Sequence, residues 1–267
     1  MSTGISYVYA VSRAGTLSDV TSGAVPGLDG GGLRTVSADG LEALVSSVPE
    51  RAFGSEGMKA QMEDLKRLEE IARGHHAVVE AAYGATTVLP LRLATVYLSD
   101  ERVAAMLHER HVEFAELLSW LEGHVELGVK VYADPHRPAE AQPPKAPAPA
   151  APVSPGRAYL QQRRAQRRNQ QDAYRAAGEL AAEVPGRVAD VARARVAHRP
   201  QQGELASSPG ENIANDAYLV PAARVGEFRR TLDTLAGDMP GVRIEITGPW
   251  APYSFATPPA VAQGGSP

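Results

Sequence analysis

The sequence contains no cysteine, which excludes disulfide bonds and thiolate metal sites and agrees with a reducing cytoplasm. It contains no run of about 18 apolar residues. Residues 1–14 also lack a basic segment followed by an apolar run, so we expect a cytoplasmic chain that is neither secreted nor membrane-spanning. Its net charge is only −4, which gives no overall indication of nucleic-acid or lipid-membrane binding.

Sequence signatures of catalysis are absent as well. There is no Gly-x-Ser-x-Gly, no His-Glu-x-x-His, and no phosphate-binding spacing in the glycine-rich segment 23–32. His108 and His111 are three residues apart on a predicted helix but have no third ligand nearby. His75 and His76 diverge by about 100° on a helix, which favours a histidine at the edge of a core. We therefore expect no enzyme, no catalytic residue, no cofactor and no metal.

What is present predicts an α+β fold of two domains. For the N-terminal domain, residues 1–133, we expect a ferredoxin-like sheet with helices on one face, whose last strand returns to the same sheet. Asp39 and Gly40 form a plausible tight turn, although residues 41–48 could also form a short helix. Gly74 is a weak point in its helix. Hydrophobic periodicity predicts strands at 5–11, 33–36, 41–48, 88–96 and 125–131, and helices at 57–82 and 99–121.

Eight of the 21 prolines fall within residues 134–155, which predicts a linker. The C-terminal domain, residues 156–257, should contain an arginine-rich helix, a second helix after Pro185-Gly186 that reaches Val196, and a strand-helix-strand unit. We interpret the arginines as a solvated face. Residues 258–267 are predicted to be a disordered tail. The expected unit consists of strands at 217–220 and 242–246 around a helix at 225–235.

Residues 88–96, Val-Leu-Pro-Leu-Arg-Leu-Ala-Thr-Val, predict a buried strand. Pro90 cannot donate to a sheet ladder and so belongs at an edge, a bulge or the strand start. Arg92 is the single charge in this apolar segment. It could bind an anion or pair with a carboxylate, and we favour the pairing.

Residues 248–255, Gly-Pro-Trp-Ala-Pro-Tyr-Ser-Phe, hold three aromatics and two prolines in a chain with only two tryptophans and four phenylalanines. The prolines bias this stretch away from helix. One interpretation is that it closes the core of the second domain after the last strand, with Trp250 as a buried anchor. The other is that it forms a binding surface. Physical reasoning alone favours the first.

These two stretches resemble the gas vesicle protein F/L family, accessory proteins of gas vesicle formation. The family patterns are Gly-Pro-Trp-Pro-Pro-Tyr-Ser-Phe and Val-Leu-Pro-x-Arg-Phe-Gly-Thr-Val. Ala251 replaces a proline, which should loosen one turn. Ala94 replaces a glycine, which predicts either a negative φ there or an adjustment of the local packing. His75-His76, and Asn215 before Tyr218-Leu219-Val220, are also similar to the family.

The resemblance implies a non-enzymatic accessory protein located at the gas vesicle. Its partners would be the hydrophobic principal shell protein and other gas vesicle accessory proteins, and it would help to nucleate or assemble the vesicle. The alternative is a small-molecule binder or enzyme with a pocket near Arg92 and His75. The candidate interaction residues are Pro90, Arg92, Thr95, Gly248, Pro249, Trp250, Pro252, Tyr253, Ser254 and Phe255.

Overall fold

Residues 4–135, 155–200, 210–237 and 239–257 are described by a computed structural model. The chain divides into a first unit, residues up to Val125 together with those from Trp250 onward, and a second unit, residues 126–249. This division departs from the predicted boundaries, because Trp250 to Phe255 lies with the first unit. Most of the predicted linker, and the predicted tail, lie outside the described residues.

The sheet of the first unit is built around β1 (Gly4–Arg13), whose eight central residues are all buried. β1 pairs antiparallel with β3 (Leu41–Pro49), and β3 pairs antiparallel with β2 (Leu33–Ala38). On its other side β1 pairs with β4 (Leu89–Pro90) and β5 (Val96–Tyr97). The order β2-β3-β1-β4, with helices after β1 and β3, is the expected ferredoxin-like arrangement.

The turn between β2 and β3 confirms the tight-turn prediction. Asp39 and Gly40 have φ angles of 48° and 76°. Positive φ at both central residues is the geometry of the two-residue hairpin turn that Asp-Gly favours. Residues 41–48 are therefore a strand, and the helical alternative is wrong.

Helices cover both faces of this sheet. On the face of Tyr7 and Tyr9, α1 (Ser18–Thr21) and α4 (Leu65–Ala85) contribute apolar residues to one buried cluster. Ser6 points to the opposite face because successive strand residues alternate, and its Oγ donates to Asp100 Oδ1 at 2.5 Å. Asp100 begins α5 (Asp100–Glu109), which is followed by α6 (His111–Leu121). Ala52, Phe53 and Met58, which follow β3, pack into the same cluster, so the departure from the expected single face lies with the helices that begin at Asp100.

Both long helices predicted in this unit are interrupted. After α2 (Glu50–Phe53) and α3 (Ser55–Glu63), Asp64 breaks the helix and caps α4 by accepting the N–H groups of Lys66 and Arg67. α5 and α6 are separated at Arg110. By contrast, α4 runs without a break through Gly74, where an added Cβ would lie 2.7 Å from Leu28 Cδ2. Glycine there permits close packing.

A second sheet has the order β7-β8-β6-β9. β6 was expected to return to the first sheet, but it lies between β8 and β9 instead. Its alternating burial identifies a strand without specifying the sheet that it joins. The strands are β6 (His124–Ala133), β7 (Ala194–His198), β8 (Glu211–Pro221) and β9 (Val242–Trp250).

Two helices pack within the second unit, α7 (Pro155–Arg187) and α8 (Val225–Ala236). The predicted strand-helix-strand unit is present as β8, α8 and β9. The predicted break at Pro185-Gly186 is wrong, because α7 runs to Arg187. The predicted helix to Val196 is also wrong: Arg195 lies on β7 and pairs with the buried Asp216 of β8 at 3.0 Å. That ion pair depends on strand register, which local periodicity does not show.

Ala94 has a φ of +66°, so the predicted negative angle is wrong. The segment is two short strands joined by a turn, in which Thr95 N–H donates to the carbonyl of Arg92 at 3.3 Å. The N–H of Ala94 donates to the hydroxyl of Tyr7 at 2.9 Å. These bonds hold a non-glycine residue in the left-handed region, which costs about 1–2 kcal/mol.

We predict that Ala94→Gly stabilises the protein. Relief of the left-handed conformation should outweigh the greater backbone entropy that glycine loses on folding, about 0.5–1 kcal/mol. The net gain should be up to about 1 kcal/mol, or about 2–4 °C in thermal unfolding. Ala115→Gly, on the exposed side of α6, is the matched control and should cost about 1 kcal/mol. Equal losses for both variants would contradict a strained Ala94.

Candidate functional site

The first unit contains a cleft of about 350 Å³, here called the Arg92 cleft. Four segments form it: the turn after β4, strand β5, the α5–α6 junction and the single-turn helix Tyr253–Phe255. The two stretches singled out in the sequence therefore meet at one place, although about 160 residues separate them. The lining residues are Pro90, Leu91, Arg92, Thr95, Tyr97, Met106, Arg110, Phe114, Tyr253, Ala256 and Thr257.

A buried chain of hydrogen bonds supports the turn that carries Arg92. His75 on α4 contacts the carbonyl of Leu91 through Nε2 at 3.2 Å and the hydroxyl of Tyr7 through Nδ1 at 3.0 Å. Because a carbonyl can only accept, Nε2 carries the hydrogen and Nδ1 accepts from Tyr7. The hydroxyl of Tyr7 in turn accepts the N–H of Ala94. Every polar atom in this chain has its partner.

The hydrogen bonds that join Leu91, His75 and Tyr7 require neutral side chains. Burial lowers the pKa of His75 to about 4, although the bond to Leu91 opposes this shift. Burial also raises the pKa of Tyr7. Both groups are therefore uncharged near neutral pH, which is the state that their hydrogen bonds need.

Arg92 is exposed and forms no ion pair within the part of the chain that the structure describes. The prediction that it pairs with a carboxylate is therefore wrong. The turn at Ala94 brings it out of the sheet, whereas a continuous strand would have kept it among apolar neighbours. The other arginine of the cleft, Arg110, makes two hydrogen bonds to Glu113, at 2.8 and 2.6 Å, and lies over the ring of Phe114.

The aromatic stretch divides into buried and exposed residues. Ala251 and Phe255 are buried, but Trp250 is 41% exposed, so its expected role as a buried anchor is wrong. Trp250 lies near the ring of His76, with centroids 5.8 Å apart. The N–H of Ala251 donates to Glu80 Oε1 at 3.3 Å, which ties the stretch to α4.

The ten candidate interaction residues do not form one surface. Pro90, Arg92, Thr95 and Tyr253 line the cleft, while Pro252 and Phe255 are buried beside them. Trp250 and the half-buried Ser254 lie in the first unit outside the lining, and Gly248 and Pro249 belong to the second unit.

Sequence reasoning missed the residues that α5, α6 and β5 contribute to the cleft. Among them are Tyr97, Met106 and Arg110, which also line an adjoining cleft of about 430 Å³. Leu98, also in the adjoining cleft, is 70% exposed. The spacing of Arg110 and Phe114, four residues apart in the sequence, indicates a contact between a cation and an aromatic ring. Such a contact does not indicate a cleft.

The histidines on α5 and α6 do not form a metal site with a third ligand. His108 Nδ1 lies 2.5 Å from Asp39 Oδ2, and His111 Nδ1 contacts the carbonyl of His108. Across residues 4–135, 155–200, 210–237 and 239–257, no group of three or more His, Cys, Asp or Glu side chains could hold a metal ion. Over the same ranges, no helix has the length and apolar character needed to cross a membrane.

Residues 5–257 match the family model described as "Gas vesicle synthesis protein GvpL/GvpF". The chain belongs to this family. As a GvpL/GvpF family protein it takes part in gas vesicle formation.

Curated relatives of this GvpL/GvpF family protein match along most of its length. Gas vesicle protein L of Streptomyces sp. strain CB03234 is 40% identical over 252 residues, which cover 94% of this chain and 92% of the relative. Gas vesicle protein L2 of Halobacterium salinarum is 26% identical over 265 residues, covering 94% of this chain and 90% of the relative.

The fold of this family member is similar to that of two solved structures. The crystal structure of GvpF from Anabaena sp. PCC7120 has a TM-score of 0.65 at 21% identity, covering 95% of this chain and 96% of that one. GvpF from Microcystis aeruginosa has a TM-score of 0.62 at 20% identity, covering 96% and 99%. These similarities confirm the α+β class with two antiparallel sheets.

We predict that His75 makes stability pH-dependent between about pH 6.5 and 4. In this window the unfolded chain binds a proton at His75 and the native protein does not, so the free energy of unfolding falls as pH falls. The depressed pKa corresponds to a loss of up to roughly 3 kcal/mol by pH 4.

Urea denaturation at about pH 7 and about pH 5 measures this dependence. His75→Gln cannot titrate, so it should be less stable at pH 7 but lose less stability on acidification than the wild type. His76→Gln is the control, because His76 lies outside the buried hydrogen bonds and its charge contributes least to the lowered pKa of His75, so it should keep most of the wild-type dependence. An unchanged dependence in His75→Gln would exclude His75 as its source.

Proposed function

We propose that this GvpL/GvpF family protein is a non-enzymatic accessory factor that binds the hydrophobic gas vesicle shell protein at the Arg92 cleft. Through that contact it helps to nucleate or assemble the vesicle, at the vesicle itself, with other gas vesicle accessory proteins as further partners. The observation that carries the proposal is the meeting of Arg92 and Tyr253, from two distant stretches, in one cleft.

The chemistry of the cleft suits a protein segment that is mainly apolar and carries a carboxylate. The half-buried Leu91, Tyr97 and Tyr253 provide apolar contact surface. Arg92 provides an exposed guanidinium with five N–H donors, whose planar geometry matches a carboxylate. A subunit of a watertight shell exposes apolar surface before it polymerises, so it needs such a partner to avoid aggregation.

The edge of the first sheet adds a second feature suited to such a partner. β4 and β5 pair with β1 through only two residues each, with the Arg92 turn between them. Pro90 on β4 has no N–H to offer, which limits uncontrolled pairing of this edge. A partner segment can thus lie beside the edge and place side chains in the cleft without extending the sheet.

A small-molecule pocket that uses Arg92 together with His75 has less support. His75 does not line the cleft, since both ring nitrogens are engaged with Leu91 and Tyr7 beneath it. A buried neutral imidazole in that position holds the turn and cannot exchange protons with a ligand in the cleft.

We predict that Arg92→Ala weakens capture of the shell protein while leaving folding nearly unchanged. The side chain of Arg92 is exposed, so the loss of stability on truncation should be within about 0.5–1 kcal/mol. Aromatic and arginine side chains at the centre of an interface typically contribute about 2 kcal/mol or more, which corresponds to a loss of at least about 30-fold in affinity. Pull-down from cells that co-produce the shell protein, alongside thermal melts, measures both quantities.

Arg51→Ala and Leu65→Ala are matched controls, because both residues are exposed in the same unit and neither lines the cleft. They should capture the shell protein like the wild type. If Arg92→Ala melts normally and still captures the shell protein fully, the cleft is not the binding site. If all three variants lose capture equally, the contact is nonspecific.

A further inference from the structure

Residues 159–172 of α7 form a segment that is exposed on every side. Each side chain from Tyr159 to Asp172 is exposed, and the next residue, Ala173, is buried. This segment forms about four turns of helix. Helices of this length are marginal in water when they lack packing. A helical segment without packing of its own needs a contact that stabilises it.

Its arginines share one side of the helix. At about 100° per residue they fall within an arc of about 140°. The buried residues of the second half, such as Ala177 and Leu180, lie on the other side. We call this surface the arginine face, formed by Arg157, Arg163, Arg164, Arg167, Arg168 and Arg175.

The charge of the arginine face is concentrated and opposite to that of the remaining chain. Residues 155–175 contain six arginines and one acid, Asp172, which pairs with Arg175 at 3.1 Å. That segment has a net charge of +5 in a chain of net charge −4, so the remaining residues have a net charge of −9. The charge pattern is therefore a local feature of α7.

Repulsion within the arginine face opposes the helix that carries it. Arg163 and Arg167 are four residues apart, as are Arg164 and Arg168, and like charges at this spacing destabilise a helix. Acidic groups placed against the face would remove the repulsion and stabilise the helical form. An anionic partner therefore matches both the charge and the conformation of this segment.

We propose that the arginine face binds an acidic protein segment that also carries an apolar side chain. Leu160 lies within the arc of the arginines and is 57% exposed, and Tyr159 beside it is 56% exposed. A phosphate backbone offers no apolar group to cover Leu160, whereas a peptide with carboxylates and an aliphatic residue does. This inference concerns α7 of the second unit and does not depend on the Arg92 cleft.

Fluorescence anisotropy with two labelled peptides tests the inference. Both are about 20 residues long, enough to span the face when helical. One is all glutamate, and the other has leucine at every fourth position. Both should bind at about 50 mM salt and weaken at about 300 mM, because exposed charges are screened. The leucine-containing peptide should bind more tightly, and Leu160→Ala should remove that advantage.

Replacing Arg163, Arg164, Arg167 and Arg168 together by glutamine should weaken binding on the order of ten-fold or more while keeping the helix, since glutamine is a good helix former. Its matched control replaces four exposed arginines elsewhere, Arg51, Arg73, Arg102 and Arg187, and so changes the net charge equally. The control should bind within about two-fold of the wild type.

Three results would overturn the inference. One is equal weakening in both fourfold variants. Another is tighter binding of single-stranded DNA of the same length than of either peptide, which would make nucleic acid the partner. The last is salt-sensitive self-association in sedimentation velocity that the α7 variant abolishes, which would make a second copy of this chain the partner. Shell-protein capture should stay normal in the α7 variant, so the two proposals fail separately.

Discussion

The neutral imidazole of His75 determines the shape of the Arg92 cleft. It joins α4 to the carbonyl of Leu91 on one side and to the hydroxyl of Tyr7 on the other, and Tyr7 continues the chain to the N–H of Ala94. Tyr7 belongs to β1, the strand with which both edge segments of the sheet pair. The turn that displays Arg92 is therefore anchored to the central strand by hydrogen bonds that exist in only one protonation state. A buried chain of this kind stabilises the native fold only while every member is satisfied.

That anchoring explains why two predictions for residues 88–96, an ion pair at Arg92 and a negative φ at Ala94, are both wrong. A continuous buried strand would need a carboxylate beside Arg92 and a negative φ at Ala94. Tyr7 supplies a hydrogen-bond acceptor that captures the N–H of Ala94, so the chain turns outward after Pro90 and returns at Val96. The guanidinium then reaches solvent and needs no partner for its charge. The family pattern has glycine where this chain has Ala94, and glycine is the residue that a positive φ favours.

Local sequence patterns predicted most strands of the first sheet. They predicted none of the contacts between segments that are far apart in the sequence. Alternation identified β1, β2 and β3, and Asp39-Gly40 identified the hairpin turn, because these signals lie within a few residues of each other. The sheet joined by β6, the strand at Arg195 and the unit joined by Trp250 depend on pairing or packing between segments far apart in sequence. The same holds for the cleft: Pro90, Arg92, Thr95 and Tyr253 were found through family motifs, whereas Met106 and Arg110 carry no motif.

Ala251, which replaces a proline of the family pattern, ties the aromatic stretch to α4. A proline at this position has no N–H, whereas the N–H of Ala251 donates to Glu80 on α4. The side chain of Ala251 is fully buried, so the substitution places a small residue against the core and adds a hydrogen bond beside it. The indole of the preceding residue, Trp250, lies near His76. His76 is four residues from Glu80 on α4. One helix therefore holds the backbone of the aromatic stretch and supports its exposed ring, because α4 presents Glu80 and His76 on the same side. The departure from the motif at position 251 therefore adds a backbone contact to α4 beside the exposed indole.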